Sequence, residues 1–257
     1  MRTDIFLFNN GFVKSRQKAK TLIEEGCVFI NGEKILKPSY DVDENADYTV
    51  EIKDPCPYVS RGGLKLEKAI NEFNISIENK VAIDIGASTG GFTHCMLING
   101  AKRVYAIDSG TNQLDSKLLN DSRVIYIENY NARNLRLEDV GEKADVITVD
   151  VSFISQTYIL GPATDLLKDD GVYIGLIKPQ FEVGRDKIDK GGIVKNKKNR
   201  LFGILRVLDN ASLYGLKCIG FTQSPISGGD GNIEYLVLFS KQGIEFSKEN
   251  IKKTVLN

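Results

Sequence analysis

Several things this sequence lacks narrow what it does. It has no Cys-x-x-Cys pair: Cys27, Cys56, Cys95 and Cys218 stand far apart. A zinc site is therefore not expected, and the thiols read as reduced and structural. It has one histidine, His94, so a Ser-His-Asp or metal mechanism would have to use it. His94 falls where a helix follows a glycine loop, an ordinary helix position. No apolar run of about 18 residues exists, which excludes a membrane-spanning helix. The start, Met1-Arg2-Thr3-Asp4, lacks the apolar stretch of a signal peptide, so a cytoplasmic location is expected. Net charge is missing too, because 34 Lys+Arg offset 34 Asp+Glu. A zero total argues against a nucleic-acid binder that works by bulk charge. A sum hides how the charge is distributed.

What remains is the composition of a folded chain. With 257 residues, one to two domains are expected at about 150 residues each. Hydrophobic residues make up 42% and charged residues 26%, which supports a core and excludes disorder, collagen-like repeats and a disulfide scaffold.

Residues 1–53 read as a small module. Leu7 and Phe8 close a first helix, Ser15 is placed to cap a second, and Ala19, Leu22 and Ile23 mark one face of it. Gly26 stops that helix, 27–30 is a short strand, and Asn31-Gly32 is a two-residue hairpin signal. Residues 42–52 supply more strand character. Lys14, Arg16, Lys18 and Lys20 come with no acid between them, and Arg2, Lys34 and Lys37 add to one end of the module. Acids collect later, at Asp41, Asp43, Glu44 and Asp47. A basic helix start beside a hairpin is a candidate surface for tracking a nucleic-acid backbone. A solvated helix face explains it equally well.

Residues 54–60, with two prolines, read as a linker, 61–244 as a second domain and 245–257 as a tail. Leu66, Ala69, Ile70 and Phe73 fall at helical spacing, with Lys65 and Lys68 on another face. Strands are expected at 81–85, 104–107, 124–127, 146–149, 172–177, 217–222 and 235–239. Most are β-branched runs without alternation, as buried parallel strands should be. Helical crossovers among the first five imply a doubly wound, Rossmann-like α/β sheet. The joint before the last strand is too short for a helical crossover, so that strand is expected antiparallel.

The first of these strands runs into Asp84-Ile85-Gly86-Ala87-Ser88-Thr89-Gly90-Gly91 and a helix. Glycines there let the backbone turn tightly and approach a ligand. Asp108, 22 residues after Gly86, is placed to bind ribose hydroxyls. The spacing is wider than Gly-x-Gly-x-x-Gly, which suits a nucleoside without phosphates, such as S-adenosylmethionine. Asp84, Gly86, Ala87, Ser88, Gly90, Asp108 and Asp150 are the candidate cofactor contacts. In open α/β sheets, ligands sit beyond the carboxyl ends of strands. Asp150 and Lys178 end two of them, and a lysine closing a buried strand needs a carboxylate partner. Glu234 begins the last strand, and Lys65 and Lys68 are rivals for a place at the same edge. Residues 183–200 hold Arg185, Lys187, Lys190, Lys195, Lys197, Lys198 and Arg200 against Asp186 and Asp189, a loop suited to a polyanion.

These residues resemble the TlyA-type family, FtsJ-like ribosomal RNA 2′-O-methyltransferases sometimes labelled hemolysins. The carriers are Tyr58-Val59-Ser60-Arg61-Gly62-Gly63-x-Lys65-Leu66, the loop from Asp84, Asp150-Val151-Ser152-Phe153-Ile154-Ser155, and Lys178-Pro179-Gln180-Phe181-Glu182. Residues 1–53 resemble the αL-type RNA-binding module of a ribosomal protein, with Arg2-Thr3-Asp4 and Ser15-Arg16 as its marks. The resemblance implies a catalytic set Lys65, Asp150, Lys178 and Glu234, choosing Lys65 over Lys68. It adds Asn131 as a cofactor contact, with Glu128 as the alternative. It implies methyl transfer from S-adenosylmethionine to a cytidine of ribosomal RNA, with Lys178 accepting or steering the hydroxyl proton. The short N-terminus resembles the subgroup acting on the large subunit. The RNA contacts would be Arg2, Lys14, Ser15, Arg16, Lys18, Lys20, Arg61, Arg185 and Lys187. No metal is implied, and a monomer or weak dimer on a ribosomal subunit is expected. A membrane lysin, a non-catalytic RNA-binding assembly factor and a nicotinamide dehydrogenase are the other classes weighed. No insertion helix, four filled catalytic positions and the loop spacing, respectively, disfavour them. The neutral total then reads as two basic surfaces offset elsewhere.

Overall fold

The computed structural model describes residues 1–13, 15–24, 26–43, 46–53, 56–228 and 231–257. Lys14 and Glu44, and Asp54 and Pro55 of the expected linker, lie outside these residues. The chain divides into two compact units, Met1–Pro57 and Tyr58–Asn257.

The first unit holds helices α1 (Thr3–Asn9) and α2 (Arg16–Glu24) and strands β1 (Val28–Ile30), β2 (Glu33–Ile35) and β3 (Val50–Ile52). The strands form an antiparallel sheet in the order β2-β1-β3. The Ser15 hydroxyl accepts the Lys18 amide at 3.1 Å, as a helix cap should. Gly26 has φ +68°, and a Cβ there would collide with the Lys34 side chain, so the helix ends at a position only glycine fills easily. Asn31 and Gly32 both take positive φ in the hairpin turn between β1 and β2. The strand expected over 42–52 shrinks to Val50–Ile52, because β1 offers only three residues before that turn. Val42 instead packs into the unit's core with Phe6, Leu7 and Ile23.

The second unit carries strands β4 (Val81–Ile85), β5 (Arg103–Ile107), β6 (Val124–Ile127), β7 (Ala144–Val149), β8 (Leu167–Ile177), β9 (Lys217–Gln223) and β10 (Tyr235–Ser240). They form one seven-stranded sheet in the order β6-β5-β4-β7-β8-β10-β9. The first five are parallel, and β10 runs antiparallel to both β8 and β9. The helices are α3 (Gly62–Glu72), α4 (Gly91–Ile98), α5 (Ser116–Leu119), α6 (Leu137–Val140), α7 (Leu160–Leu166), α8 (Pro179–Glu182), α9 (Lys197–Ser212) and α10 (Lys248–Leu256). Strand β4 has β5 on one side and β7 on the other, so the chain reverses direction of travel there. That reversal opens a crevice beyond the strand ends.

Three expectations change. Strand β8 begins at Leu167, which pairs with Ala144, before the ladder slips and resumes at Val146↔Val172. Residues 245–257 are not a tail: Ser247 caps α10, and its Ile251 and Val255 are buried in the main core. An i,i+4 apolar pair on a short helix is enough to dock it. Tyr58, given to the linker, is also buried, with its hydroxyl donating to Glu67 Oε1 at 2.9 Å.

Candidate active site

The crevice is built around the loop between β4 and α4. Gly86 takes φ +84°, and a Cβ there would lie 2.4 Å from the Asp150 carbonyl oxygen. The Gly86 and Ala87 amides both donate to Ile107 O, drawing the loop over the end of β5. Ser88 also has positive φ, +48°, an unusual setting for a side chain that is fixed here by its amide donating to Asp108 Oδ2 at 2.7 Å. A Cβ on Gly91 would press on Ser60 Oγ and the Gly63 amide, so the starts of α3 and α4 meet at bare backbone. This close approach brings Lys65 of α3 to the loop.

Asp84 lies beneath the loop, not in the cavity wall. It is fully buried, and its two oxygens accept the Thr93 and Thr148 hydroxyls at 2.6 and 2.8 Å. Burial pushes its carboxyl up to about 6. Its position ties α4 to β7, so it supports the loop from behind.

Two cavities open above. One, of about 540 Å³, is lined by Asp108, Asn131, Gln113, Ile107 and Val151 among others. Asp108 holds the Ser88 and Gly110 amides at 2.7 Å, one on each oxygen, which leaves lone pairs for hydroxyls. Asn131 stands in the wall and caps the turn 132–134 by accepting the Arg133 amide. Glu128 is outside that wall and takes the Asn112 amide. The second cavity, of about 300 Å³, is lined by Ser60, Arg61, Lys65, Ser152 and Lys178 among others. Gly86, Ser88, Asp150 and Ser152 border both cavities. A tight glycine turn, an acid with free lone pairs and a cavity of this size fit a nucleoside-borne sulfonium.

Lys65, Asp150, Lys178 and Glu234 form two ion pairs at the smaller cavity. Lys178 Nζ lies 2.6 Å from Asp150 Oδ1 and donates to Ser152 Oγ at 2.7 Å. Lys65 Nζ lies 2.5 Å from Glu234 Oε2, with the two residues 9% and 3% exposed. The insertion of β10 beside β8 makes this possible. Tyr235 faces Ile177 across the ladder, so the next step places Glu234 by Lys178. Lys68, the rival of Lys65, sits at the surface and pairs with Glu72.

A methyltransferase model of the FtsJ-like type matches residues 58–241, and a model of the S4 domain matches residues 1–47. The chain belongs to the FtsJ-like methyltransferase family. It is 42% identical to the putative rRNA methyltransferase YqxC of Bacillus subtilis, over 99% of this chain and 92% of that protein. It is 38% identical to the 16S/23S rRNA (cytidine-2′-O)-methyltransferase TlyA of Mycobacterium tuberculosis, covering 94% of this chain and 90% of that one. A solved structure of a putative hemolysin from Streptococcus thermophilus superposes with a TM-score of 0.80 at 41% identity, covering 100% of this chain and 94% of that one.

In this FtsJ-like chain the residues expected to touch RNA divide into two kinds. Arg2 and Arg16, in the S4 unit, both point their guanidinium groups at Asp4, whose side chain is fully buried. Ser15 serves as the cap of α2. Lys18 and Lys20 are half-buried on the same helix, and Lys14 lies outside the described residues. Arg61 lines the smaller cavity. Arg185 is exposed, while Lys187 pairs with Asp186 and rests over the Phe202 ring. The basic loop is held in place from within. Asn232 takes the Val194 amide and donates to Gly192 O, and the buried Arg200 donates to Val194 O and Lys195 O. Arg200 is thus a clamp and not an RNA contact, and Lys197 is engaged with Leu256 O and Asn257 O.

The sequence reading gave no role to two residues at the site. Ser152 holds Lys178. Phe153 lines the larger cavity, is 92% exposed, takes φ +63°, and has its ring 5.3 Å from that of Phe181. His94 lines neither cavity and is a helix residue as expected, its Nδ1 accepting the Val59 amide at 3.1 Å. Among the described residues there is no group of three His, Cys, Asp or Glu that could hold a metal, and no helix long and apolar enough to cross a membrane.

Proposed function

We propose that this chain transfers a methyl group from S-adenosylmethionine to the ribose 2′-hydroxyl of a cytidine in ribosomal RNA, with large-subunit RNA as the main substrate. The observation that carries the reading is two lysine–carboxylate contacts, Lys65–Glu234 buried and Lys178–Asp150 half-buried, at a cavity that shares a wall with the glycine loop. The names of the B. subtilis and M. tuberculosis relatives support the choice of ribosomal RNA.

S-adenosylmethionine, when bound, supplies an electrophilic methyl. Asp108 and Asn131 would hold it by its polar groups, with Gly86 and Gly90 giving the backbone room to turn. Holding the hydroxyl in line is the main contribution, since proximity and orientation are worth about 7–11 kcal/mol in favourable cases. Lys178, fixed by Asp150 and Ser152, orients the 2′-oxygen, and the hydroxyl proton is taken up at the Lys178–Asp150 pair. Lys65, paired with Glu234, is held in the wall of the smaller cavity beside the target. The 2′-hydroxyl is present in RNA and absent from DNA, so the chemistry itself selects the polymer. Phe153 and Phe181 offer an aromatic ledge for a base lifted out of its stack. The S4 unit supplies register on folded RNA, chiefly through phosphates. With this reading goes a protein that works on ribosomes in the cytoplasm, and we propose a monomer or weak dimer as its form.

The test is to map ribose methylation in ribosomes from cells with and without the gene, and to assay methyl transfer to the unmethylated ribosomes by purified protein. One cytidine methylated at its 2′-oxygen in both assays is expected. No transfer to ribosomal RNA would overturn the reading.

A further inference from the structure

Two segments of this chain begin with a residue of the proposed catalytic set and continue with residues that set does not use. Asp150 is followed by Val151-Ser152-Phe153-Ile154-Ser155-Gln156, and Lys178 by Pro179-Gln180-Phe181-Glu182. The far ends of the two segments meet in the core. Glu182 Oε2 accepts the Ser155 hydroxyl, and Oε1 accepts the Gln156 amide at 2.8 Å. The Gln156 side chain in turn donates to Leu176 O on β8 and accepts the Tyr173 hydroxyl. Glu182 is 1% exposed. The nearby Arg206 donates to the Glu182 carbonyl oxygen and not to its carboxylate.

We propose that Glu182 is a positioning residue that sets the Asp150 loop against Lys178, resting on the methyl-transfer reading above. The two segments are braced at both ends. At the crevice, Lys178 touches Asp150 and Ser152. In the core, Glu182 holds Ser155 and Gln156. Helix α8 is a single turn, closed by the Val183 amide on Pro179 O, so fixing Glu182 fixes the direction in which Lys178 leaves β8. Helix α9 crosses at Gly203, where a Cβ would come within 3.1 Å of Glu182 Cβ, so α9 packs closely on the base of this side chain. Burial raises the pKa of this carboxyl, a cost that an apolar side chain would avoid. The acidic group is explained by its two acceptor oxygens, which no apolar residue supplies.

The test measures kcat, the RNA KM and cofactor affinity for Glu182→Leu, Glu182→Gln, Ser155→Ala and the Glu182→Leu/Ser155→Ala double variant, alongside the wild type. A displacement of about 1 Å in a reacting group costs on the order of 100-fold in rate, so Glu182→Leu should lower kcat by about 10- to 100-fold. Its RNA KM and cofactor affinity should stay within about twofold. Glu182→Gln keeps an acceptor for Gln156 and a donor toward Ser155, and should restore most of kcat. The double variant should be no worse than Glu182→Leu, because both changes break the same hydrogen bond. Wild-type kcat in Glu182→Leu, a Glu182→Gln variant as impaired as Glu182→Leu, or additive losses would each overturn the proposal. Where Glu182→Leu does not fold, an unchanged kcat in folded Ser155→Ala overturns it, and a lowered kcat supports it. A wild-type protein without methyl transfer overturns the methyl-transfer reading instead.

Discussion

The Lys65 ammonium and the Glu234 carboxylate meet at 2.5 Å although 169 residues separate them in the chain. Both are buried, so each is the other's compensation for lost water. Lys65→Met should lower stability by about 3–5 kcal/mol, the usual cost of leaving one buried partner uncompensated. Lys65→Met/Glu234→Leu should recover much of that loss and still lack methyl transfer. Urea unfolding of the three proteins decides this, and a double variant less stable than Lys65→Met would contradict it.

Lys178 borders the smaller cavity and not the larger one. Lys178→Ala should therefore lower methyl transfer by about 100- to 10,000-fold, the range for a group that handles the transferred proton. S-adenosylmethionine affinity should change little. Calorimetric titration and a labelled-methyl assay on the same preparation separate the two effects.

His94 gives the fold a pH dependence. Its Nδ1 accepts the Val59 amide, which only a deprotonated Nδ1 can do, and burial followed by the Lys117 charge lowers its pKa. Asp115 and Asp121 pull the other way. A histidine with a lowered folded pKa binds fewer protons in the fold than in the unfolded chain. Its stabilising contribution is therefore complete above the ordinary value of about 6.5 and is lost as pH falls below it. Asp84 has the opposite sign, because its carboxyl is raised to about 6 and protonation relieves a buried charge. The clean measurement is a difference: thermal midpoints of wild type and His94→Gln between about pH 5 and 7.5, spanning the histidine range. The gap between them should narrow toward the acid end.

Phe153 holds a large apolar ring in solvent on a backbone of positive φ. The exposed ring adds little to the fold and alanine would take the same positive φ, so Phe153→Ala should leave the thermal midpoint nearly unchanged. Stacking of one base is worth about 1–3 kcal/mol, so the RNA KM should rise by about 5- to 150-fold. Steady-state kinetics on ribosomes check this, and an unchanged KM would remove the base ledge from the mechanism.

In the S4 unit, lysines and arginines should behave differently. Lys18→Ala/Lys20→Ala should make RNA binding less dependent on salt, reducing the slope by about 0.7–0.9 for each phosphate that is no longer neutralised. Arg2→Ala should mainly destabilise the unit, because the buried Asp4 loses one of its two guanidinium partners. Filter binding over a salt series, with a thermal melt of each variant, distinguishes the two behaviours.

Local patterns made most of the sheet legible. Seven apolar runs, most of them β-branched, marked the strands, and the short glycine-rich joint before residue 235 pointed to the antiparallel last strand. Alternation and run length depend on neighbours in sequence, and these survive into the fold. What stayed hidden depends on partners distant in sequence. Arg2 and Arg16 look like free cations until Asp4 is seen between them. Ser155 and Glu182 look like two unrelated polar residues until β7 and β8 bring them together. Helix α10 hides because its docking face is the single pair Ile251 and Val255, too few apolar positions for a period to emerge. The preference for Lys65 over Lys68 came from the resemblance, and burial with Glu234 is its structural counterpart.

The placement of β10 has a consequence for how the chain comes into being. Strand β10 is the last strand in sequence, yet it lies between β8 and β9 and not at the rim of the sheet. During synthesis the parallel strands leave the ribosome first, and β8 stays an open edge until residues 235–240 arrive. Lys65 has to wait for Glu234 over the same interval. A nascent or prematurely terminated chain therefore lacks both the closing strand and Glu234, and the buried Lys65–Glu234 pair forms only once residue 234 has been made.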